Sequence, residues 1–494
     1  MDNDGTIFKE KRSGTTDNRT ELKACLKHLR KGDVLAIYCP NMPEYALVFN
    51  AVASVGGINT TVNPLYTAAE LAKQLNDSKA KFLVTVPPFL DKALEAANNS
   101  SVEEVFVFGD AEGASSFSEL LSTEQPAPVV AIDPKNDLVV LPYSSGTTGL
   151  PKGVMLTHHN LVANLCQVDG LEEEKRMGEG EIILAMLPFF HIYGMIVVMK
   201  LALAGGATVV SMPRFDMAEF LGLVQRYKAT TLPLVPPVVL GLAKSPLVDQ
   251  FDLSSVKTIF CGAAPLGREL SMETSQRIGC PVTQGYGMTE ASPVTHLSSM
   301  DPEKSREGAI GKVIPDTEVR LVDVKSGKDC AQGEDGELWI RGPQIMRGYL
   351  NQPEETAECI DTEGWYHTGD VGYVDEDGFF FIVDRVKELI KYKAMQVSPA
   401  ELEALLVTHP EILDTAVIPC PDEEAGEIPK AIVVLKDPAS ASDELAEKIM
   451  AFVADNVAPH KRVRLLDFAE QIPKSASGKI LRRVLVEAER SRST

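Results

Sequence analysis

Residues 33–57 read DVLAIYCPNMPEYALVFNAVASVGG, an apolar β-rich run that leads into a helical pattern opened by proline. The polar-apolar stretch AELAKQLNDSKA comes later, and directly after it a second apolar run, KFLVTV, occupies residues 81–86. Further apolar runs occur at 102–109, 137–145, 207–210, 258–261 and 318–322. Strands that alternate with helices predict a parallel sheet with helices on both faces. The sequence therefore predicts an α/β fold with doubly wound sheets.

The pattern changes beyond residue 333. Short alternating runs such as ELWIRG and GFFFIVD, separated by Gly and Asp turns, predict antiparallel sheet or a β-barrel-like part as far as residue 383. Farther on, Ser398-Pro399-Ala400-Glu401 has the pattern of a helix start, with Ser398 as the cap and Glu401 reaching back to it. We therefore expect a large N-terminal domain over residues 1–386 and a small C-terminal α/β domain over residues 387–494.

The charge of the chain argues against nucleic acid as a partner. Asp and Glu number 70 against 48 Lys and Arg, and the net charge of -22 repels polyanions at long range. Basic residues nevertheless concentrate at 385–393, 461–464 and 474–483. A local concentration of cations on an acidic protein suits a small polyphosphate ligand.

The cysteines indicate a reducing compartment. Eight of them are scattered from Cys25 to Cys420, with no Cys-x-x-Cys pair and no His/Cys cluster at metal-ligand spacing. Free thiols of this kind predict a cytoplasmic protein. The longest apolar stretch, at 194–212, is interrupted by Lys200 and by a pair of glycines, so it predicts buried core and no transmembrane segment. The oligomeric state is left open by the sequence.

A loop rich in Ser, Thr and Gly follows the apolar run at 137–145, and residues 143–157 read YSSGTTGLPKGVMLT. Its hydroxyl and backbone N–H groups can surround phosphate oxygens, and glycine lets the backbone approach them closely. The expected phosphate contacts are Ser144, Ser145, Gly146, Thr147, Thr148 and the cation Lys152. No Gly-Lys pair followed by Ser or Thr occurs here, so the loop is not a Walker P-loop.

This loop resembles the phosphate loop of the acyl-adenylate-forming family, which includes acyl-CoA synthetases, 4-coumarate–CoA ligases and firefly luciferase. Four further motifs follow in the order of that family: GAAP at 262–265, GYGMTEASPV at 285–294, HTGD at 367–370 and IPKSASGKILRR at 472–483. FFHIYGM and KAMQVSPAELEALL are most similar to 4-coumarate–CoA ligases. The resemblance implies ATP, Mg²⁺ and coenzyme A as cofactor and co-substrates, and a C-terminal domain that moves.

The implied activity is that of an ATP-dependent carboxylic acid–CoA ligase, which forms an acyl-adenylate and then an acyl-CoA. Two alternatives stay within the family: a medium- or long-chain fatty acid–CoA ligase and a luciferase-like oxygenase. A peptide-synthetase adenylation module would need an acidic residue near His191 for the substrate ammonium group. A non-catalytic nucleotide-binding protein would not need Lys479 or Glu290.

The resemblance also implies roles for single residues around the nucleotide. Tyr286 is expected to stack on adenine, Glu290 to hold the magnesium ion, and Asp370 to accept both ribose hydroxyls. The remaining expected AMP contacts are Gly262, Ala263, Ala264, Gln284, Gly285, Thr289 and Arg385.

Catalytic roles follow from the same resemblance. Lys479 is expected to be the adenylation lysine, because attack of a carboxylate on a phosphate joins two anions and needs a cation at the developing charge. His191 is expected beside the reacting carboxylate, where it gates the pantetheine channel. Lys391 is expected to serve thioester formation. Lys387 is the expected hinge, and Lys393, Ala394 and Gln396 are expected near coenzyme A.

The expected acyl pocket consists of Tyr193, Gly262, Gly285, Pro293 and Val294. Trp339 stands where plant hydroxycinnamate ligases usually have Cys, and Ser292 replaces a glycine beside the pocket. Ala394 stands where the family usually has glycine. We therefore expect the pocket to accept flat phenylpropenoic acids and medium-chain fatty acids, with the preferred acid left open.

Overall fold

A computed structural model gives the fold of the protein. It describes residues 6–8, 29–118, 129–144, 151–171, 177–393, 395–422, 424–475 and 478–492. Within these ranges the strands form four sheets. No helix in the described part of the chain has the length and apolar character that crossing a bilayer needs.

The first sheet contains the run quoted at the start of the sequence analysis. Its described strands are, in spatial order, Gly348–Tyr349, Lys152–Thr157, Leu138–Ser144, Ile58–Thr61, Val34–Tyr38, Ala80–Thr85, Glu104–Val107 and Ser115–Ser116. The six strands from Leu138–Ser144 onward are parallel. The accompanying helices are Pro43–Ser54, Ala68–Ser78, Leu90–Asn98 and His158–Asp169, with a 3-10 turn at Pro87–Phe89.

Alternate residues of strand Val34–Tyr38 pack into different cores, because successive side chains point to opposite faces. Leu35 and Ile37 join the core that contains helix Pro43–Ser54. Ala36 and Tyr38 join the core formed with the helices Ala68–Ser78 and Leu90–Asn98. The prediction of a doubly wound parallel sheet is confirmed.

The second sheet is also mainly parallel. Its described strands are, in spatial order, Thr6–Phe8, Thr208–Ser211, Ile182–Ala185, Thr231–Leu234, Thr258–Cys261, Val282–Gly287, Val294–Leu297 and Lys312–Val313. The first strand and the last two are antiparallel to their neighbours. Its helical segments are Tyr193–Leu201, Ala202–Gly205, Met217–Tyr227, Pro236–Lys244, Pro246–Gln250, Arg268–Ile278, Thr289–Ala291 and Pro302–Lys304. The apolar stretch at 194–212 is largely buried, as predicted.

The third sheet is antiparallel, as predicted for residues 333–383. Its described strands are, in spatial order, Glu318–Val322, Gly336–Arg341, Tyr366–Val374 and Phe380–Arg385. Helix Pro353–Cys359 lies in the connection between the second and third of these strands. The sheet places Asp370 and Arg385 opposite each other on neighbouring strands.

The fourth sheet belongs to the last hundred residues and has a core of its own. Its described strands are Met395–Val397, Ile390–Tyr392, Gly426–Leu435, Ile412–Asp422 and Leu465–Phe468. The helical segments are Pro399–Leu406, Pro438–Ser440, Asp443–Asn456, Pro459–Lys461 and Arg482–Arg492. Leu402, Leu406, Val417 and Ile449 lie in the core between them.

Helix Pro399–Leu406 begins where the sequence predicts. The Ser398 hydroxyl accepts a hydrogen bond from the backbone N–H of Glu401 at 3.1 Å. The Glu401 carboxylate, however, binds Lys461 at 2.7 Å, so the expected return of Glu401 to the cap is wrong. Lys461 belongs to a segment far from Glu401 in the chain, so a tertiary ion pair takes the place of the local capping contact.

Candidate active site

The site lies at the carboxyl ends of two neighbouring parallel strands of the second sheet. Strand Thr258–Cys261 leads into Gly262, and strand Val282–Gly287 contains Tyr286, with Cys261 opposite Gln284. The backbone N–H of Leu266 donates to the Gln284 side-chain oxygen at 3.3 Å, which ties the two segments together. Ligands of parallel α/β sheets bind at this edge. The expected walls of the adenine slot therefore stand side by side.

Ala263 and Ala264 continue the first of these walls, and Ala263 has a φ of 72°. An alanine in the left-handed region marks a backbone that the surrounding structure holds in place. Thr289 begins the short helix Thr289–Ala291 just beyond Tyr286. Gly262 and Tyr286 therefore belong to neighbouring strand ends, and Ala263, Ala264 and Thr289 follow them closely in the chain.

One carboxylate connects the second and third sheets. The Tyr286 hydroxyl donates to Oδ2 of Asp370 at 2.5 Å, and Nε of Arg385 lies 3.0 Å from Oδ1. Asp370 is buried. Burial and the Asp370 charge raise the pKa of the Tyr286 phenol far above its usual value. The phenol therefore stays protonated and donates to the carboxylate.

A second carboxylate, Glu290, joins three separate segments of the chain. Its Oε1 accepts hydrogen bonds from the Ser144 hydroxyl and the Tyr349 hydroxyl, each at 2.9 Å. Glu290 is 7% exposed, so these donors satisfy a charge that has little water around it. Sequence reasoning predicted Glu290 and Ser144 but missed Tyr349, because no motif surrounds Tyr349.

Lys152 lies close to the same cluster. It forms an ion pair with Glu355, and its Nζ stands 5.0 Å from the centroid of the Tyr349 ring. The expected phosphate contacts Ser145, Gly146, Thr147 and Thr148 lie outside the described residues. The described ends of this loop, Ser144 and Lys152, are opposite each other in an antiparallel strand pair.

Lys479 reaches the site from the C-terminal part of the chain. Its backbone N–H donates to the Ser475 hydroxyl at 3.1 Å, and Gly478 before it has a φ of 80°, which favours glycine. A Cβ added to Gly478 would lie 3.3 Å from Cγ2 of Val235, so the turn packs against the second sheet's helical layer.

Three charged side chains act on the Lys479 ammonium group. Burial lowers the pKa of this group, and the Arg385 guanidinium lowers it further, while Asp370 and Glu290 raise it. The expected adenylation lysine therefore lies within electrostatic range of both carboxylates.

His191 lies within electrostatic range of Lys479. Burial lowers the pKa of the His191 imidazole to about 3, and the Lys479 charge contributes to the shift. Nδ1 of His191 accepts a hydrogen bond from the backbone N–H of Tyr193 at 3.3 Å. The imidazole is therefore neutral at physiological pH, with Nδ1 as an acceptor.

Two aromatic rings shape the expected acyl pocket. The Tyr193 hydroxyl donates to the backbone carbonyl of Phe260 at 2.9 Å. A Cβ added to Gly262 would lie 3.2 Å from the Tyr193 ring, and one added to Gly285 would lie 2.6 Å from Cζ of Phe260. A side chain at Gly285 would therefore force the Phe260 ring to shift, whereas one at Gly262 would need only a small movement of the Tyr193 ring. Sequence reasoning missed Phe260, although it stands two residues before Gly262, on the same face of the strand.

Pro293 directly precedes the adjacent antiparallel strand Val294–Leu297, in which Val294 lies opposite Gly287. Ser292 before them is fully buried and has a φ of 68°, a conformation that favours glycine. The resemblance expects glycine at this position, and Ser292 adopts the left-handed backbone conformation that glycine favours.

The expected thioester residues lie apart from this cluster. Lys391 and Gln396 are exposed and opposite each other in the hairpin of the fourth sheet, and Lys393 pairs with Glu424 at 3.0 Å. Lys387 is exposed as well. None of these residues forms a hydrogen bond or ion pair with Asp370 among the described residues. Ala394 lies outside the described residues.

The chain is similar in sequence to known proteins. A family model described as AMP-binding enzyme matches residues 20–350, and one described as AMP-binding enzyme C-terminal domain matches residues 401–479. The chain is 46% identical to 4-coumarate–CoA ligase 1 of Solanum tuberosum over 465 residues, which cover 92% of this chain and 84% of the relative. It is 47% identical to 4-coumarate–CoA ligase 2 of Nicotiana tabacum, with the same coverage.

Solved structures are similar over nearly the whole chain. The anthranilate CoA ligase AuaEII in complex with anthranoyl-AMP superposes with a TM-score of 0.87 at 28% identity, covering 96% of this chain and 91% of that one. ATP-bound MatB from Rhodopseudomonas palustris superposes with a TM-score of 0.85 at 27% identity, covering 96% and 92%. The similarity thus extends through both parts of the chain.

Proposed function

The chain belongs to the AMP-binding enzyme family, and on this premise we propose that it is an AMP-forming acid–thiol ligase that converts a carboxylic acid into its coenzyme A thioester. The activity named for the 4-coumarate–CoA ligases supports coenzyme A as the acceptor. The observation that carries the proposal is the buried Asp370 carboxylate at the strand ends, which accepts the Tyr286 hydroxyl on one oxygen and lies 3.0 Å from Nε of Arg385 on the other.

In the first half-reaction, the acid's carboxylate attacks the α-phosphorus of ATP. A new oxygen–phosphorus bond forms, the bond to the β-phosphate oxygen breaks, and pyrophosphate leaves. Asp370 holds the ribose: each of its oxygens already has one donor, and a carboxylate has about four acceptor sites, so ribose hydroxyls can be added. Lys479 and Arg385 supply positive charge where the negative charge develops.

The described residues fit a magnesium ion that arrives with ATP. Glu290 is a buried carboxylate, and no group of three possible metal ligands occurs among the described residues. Mg²⁺ commonly binds through one or two carboxylates, substrate phosphates and water. Oε1 of Glu290 is already held by Ser144 and Tyr349, which orients the carboxylate for this contact. When bound, the ion would neutralise phosphate charge.

In the second half-reaction, the thiol of coenzyme A loses its proton to solvent, and its sulfur attacks the acyl carbon of the adenylate. A carbon–sulfur bond forms, the carbon–oxygen bond to AMP breaks, and AMP leaves with the electron pair. We place the domain boundary at Lys387 and propose rotation there. This motion would withdraw Lys479 and bring the exposed Lys391, Gln396 and Lys393 face of the hairpin toward the acyl carbon.

The neutral state of His191 supports its place beside the reacting carboxylate. A protonated imidazole would add a further cation to Lys479 and Arg385, and burial of the ring disfavours this. Rotation of the neutral ring could then open the pantetheine channel without a change of charge. The expected location of the enzyme is the cytoplasm, which cell fractionation tests.

The acid is proposed to be a flat phenylpropenoic acid or a medium-chain fatty acid. The rings of Tyr193 and Phe260 pack edge to face, with centroids 6.0 Å apart, and form an apolar wall beside Gly262 and Gly285. A luciferase-like oxygenase would use the same adenylation, and light emission with luciferin and oxygen distinguishes it.

The decisive experiment is a panel of aromatic and aliphatic acids assayed for pyrophosphate and AMP release with and without coenzyme A. We expect pyrophosphate release to require an acid, and AMP release and thioester formation to require coenzyme A as well. Pyrophosphate release that does not depend on any acid would contradict the proposal. Acetate or an amino acid as the best substrate by kcat/KM would contradict the proposed acid class.

A further inference from the structure

A buried asparagine beside the first sheet binds a loop that belongs to the second sheet. Asn41 is 5% exposed, and its side-chain amide donates to the backbone carbonyls of Ala185 at 3.0 Å and of Leu187 at 2.8 Å. The side-chain oxygen of Asn41 accepts the backbone N–H of Phe189 at 2.7 Å. All three of these hydrogen bonds therefore go to the main chain of residues 185–189.

The bound segment has just left its strand. Strand Ile182–Ala185 ends there, and residues 186–191 form an irregular turn before helix Tyr193–Leu201. Buried backbone groups must be paired even where no neighbouring strand supplies a partner. A carboxamide has the same donor and acceptor groups as a peptide bond, so Asn41 takes the place of the missing strand.

A second side chain of the first sheet binds the end of the same segment. Thr61 is 2% exposed, and its hydroxyl donates to the backbone carbonyl of Phe190 at 2.8 Å. Thr61 ends strand Ile58–Thr61, which is a parallel neighbour of strand Val34–Tyr38, and Asn41 follows the end of the latter. Both side chains thus reach residues 185–190 from one carboxyl edge of the first sheet.

The segment also packs closely against the helices on either side of it in the chain. A Cβ added to Gly194, in helix Tyr193–Leu201, would lie 2.1 Å from the Pro188 carbonyl oxygen, so only glycine permits this approach. The Phe189 ring packs edge to face on the ring of Tyr45, with centroids 5.7 Å apart. Packing and hydrogen bonds together therefore fix the path of the segment.

His191 comes directly after this segment. Its backbone N–H donates to the Pro188 carbonyl at 3.1 Å, and its ring accepts the backbone N–H of Tyr193 at 3.3 Å. The main chain at His191 is thus held by the bound segment, and the ring rotates about a fixed attachment point. Misplacement of a functional group by about 1 Å can cost about a hundredfold in rate. The placement of the ring therefore depends on contacts made by the first sheet.

We propose that Asn41 and Thr61 are positioning residues for thioester formation, and that they act by holding residues 185–190 so that the His191 ring stands at the pantetheine channel. The inference rests on the proposed function, in which His191 gates that channel. The side-chain hydrogen bonds described above go to main chain, and neither residue belongs to the expected nucleotide or acyl contacts. Their loss should therefore slow transfer to coenzyme A more than it slows adenylation.

The test measures the two half-reactions separately in single turnovers. One is pyrophosphate release with 4-coumaric acid, and the other is acyl transfer from preformed 4-coumaroyl-AMP to coenzyme A; decanoic acid and its adenylate replace them should the enzyme prefer an aliphatic acid. Asn41→Leu keeps the approximate volume of the side chain and removes all three hydrogen bonds. We expect it to slow acyl transfer by about tenfold or more and adenylation by a smaller factor.

Double-mutant cycles with His191→Ala separate positioning from folding. If Asn41 acts through His191, Asn41→Leu/His191→Ala should transfer the acyl group no more slowly than His191→Ala alone. Thr61→Val has nearly the shape of the original side chain and removes one hydrogen bond, so it should show the same pattern with a smaller loss. This variant carries the same cycle should Asn41→Leu fail to fold by circular dichroism.

Asn59→Leu is the matched control. Asn59 is fully buried in the same sheet, and its amide donates to the carbonyls of Phe49 at 3.2 Å and Val139 at 3.3 Å, away from the 185–190 segment. Its replacement should lower the free energy of unfolding and leave the ratio of the two half-reaction rates unchanged. Any loss of transfer rate in Asn59→Leu should add to that of His191→Ala.

Three results would overturn the inference. Equal slowing of both half-reactions in Asn41→Leu and in Thr61→Val would assign the two residues to folding alone. Additive losses in the double variants, or full transfer activity in His191→Ala, would show that they do not act through His191. If no carboxylic acid supports pyrophosphate release in the unmodified enzyme, then the proposed function itself fails, and this inference with it.

Discussion

Arg385 and Asp370 face each other across two antiparallel strands, with Nε of Arg385 3.0 Å from Oδ1 of Asp370. The other oxygen of this carboxylate accepts the Tyr286 hydroxyl, and the Arg385 charge in turn lowers the pKa of Lys479. The Asp370 carboxylate, which is proposed to hold ribose, therefore interacts electrostatically with Arg385 and Lys479, the two cations proposed to contact phosphate.

Replacement of Lys479 by Ala should slow adenylation by about a hundredfold or more, because a cation at the developing charge is lost. Thioester formation from preformed acyl-AMP should survive. Rapid-quench measurement of each half-reaction tests both statements. The matched control is Lys474→Ala in the same segment, whose ammonium group pairs with Asp414 at 2.6 Å and should matter little to adenylation. Equal loss in both half-reactions would show that Lys479 is not specific to one step.

The pH dependence of adenylation should also report Lys479. Its pKa lies below the usual 10.5, so the positive charge is lost as the pH rises through that lowered value. Adenylation measured in single turnovers should therefore decline with a midpoint below 10.5. Arg385→Gln removes a neighbouring cation and should move the midpoint upward, besides lowering the rate. The exposed Arg483→Gln is the control, and an unchanged midpoint in Arg385→Gln would contradict the coupling.

Gly285→Ala should narrow the acyl pocket, since its Cβ would lie 2.6 Å from Phe260 and 3.0 Å from Leu297. Overpacking of this kind commonly costs about 1–3 kcal/mol, so kcat/KM for phenylpropenoic acids should fall by about tenfold or more. Adding Phe260→Leu should restore part of the activity, which a double-mutant cycle measures. Gly222→Ala is a fitting control, because its nearest neighbour would be 3.9 Å away. Additive effects of the two substitutions would argue against the contact.

Arg482→Ala should destabilise the C-terminal part of the chain. The Arg482 guanidinium donates to Glu388 at 2.7 Å and to both oxygens of Glu403, and its side chain is 14% exposed. Removing one partner of a buried ion pair commonly costs about 3–5 kcal/mol. Urea unfolding followed by circular dichroism measures the change.

Arg483→Ala provides the comparison for this prediction. Its side chain is 71% exposed and, in the part of the chain that the structure describes, pairs only with Glu487, four residues along the helix. We expect a change within about 0.5 kcal/mol there. Similar losses in both variants would show that the Arg482 network contributes no more than a surface pair.

The sequence by itself determined the classes of the sheets and the positions of the motifs. Short continuous apolar runs, separated by helical patterns, depend on residues that are neighbours in the chain, and strands such as Val34–Tyr38 and Thr258–Cys261 follow directly from them. Gly262 and Tyr286 could likewise be expected at adjacent strand ends, because parallel strands share one carboxyl edge.

Only the tertiary structure decided which distant side chains meet. Tyr349 binds Glu290, Phe260 fills the space beside Gly285, and Glu401 binds Lys461 although its local pattern predicts a capping box. Each of these contacts depends on sheet order, register and side-chain packing between segments far apart in the chain. The local pattern of apolar and polar residues does not specify which distant segments pack together. The partners of a buried charge or ring are therefore determined only when the whole core is assembled.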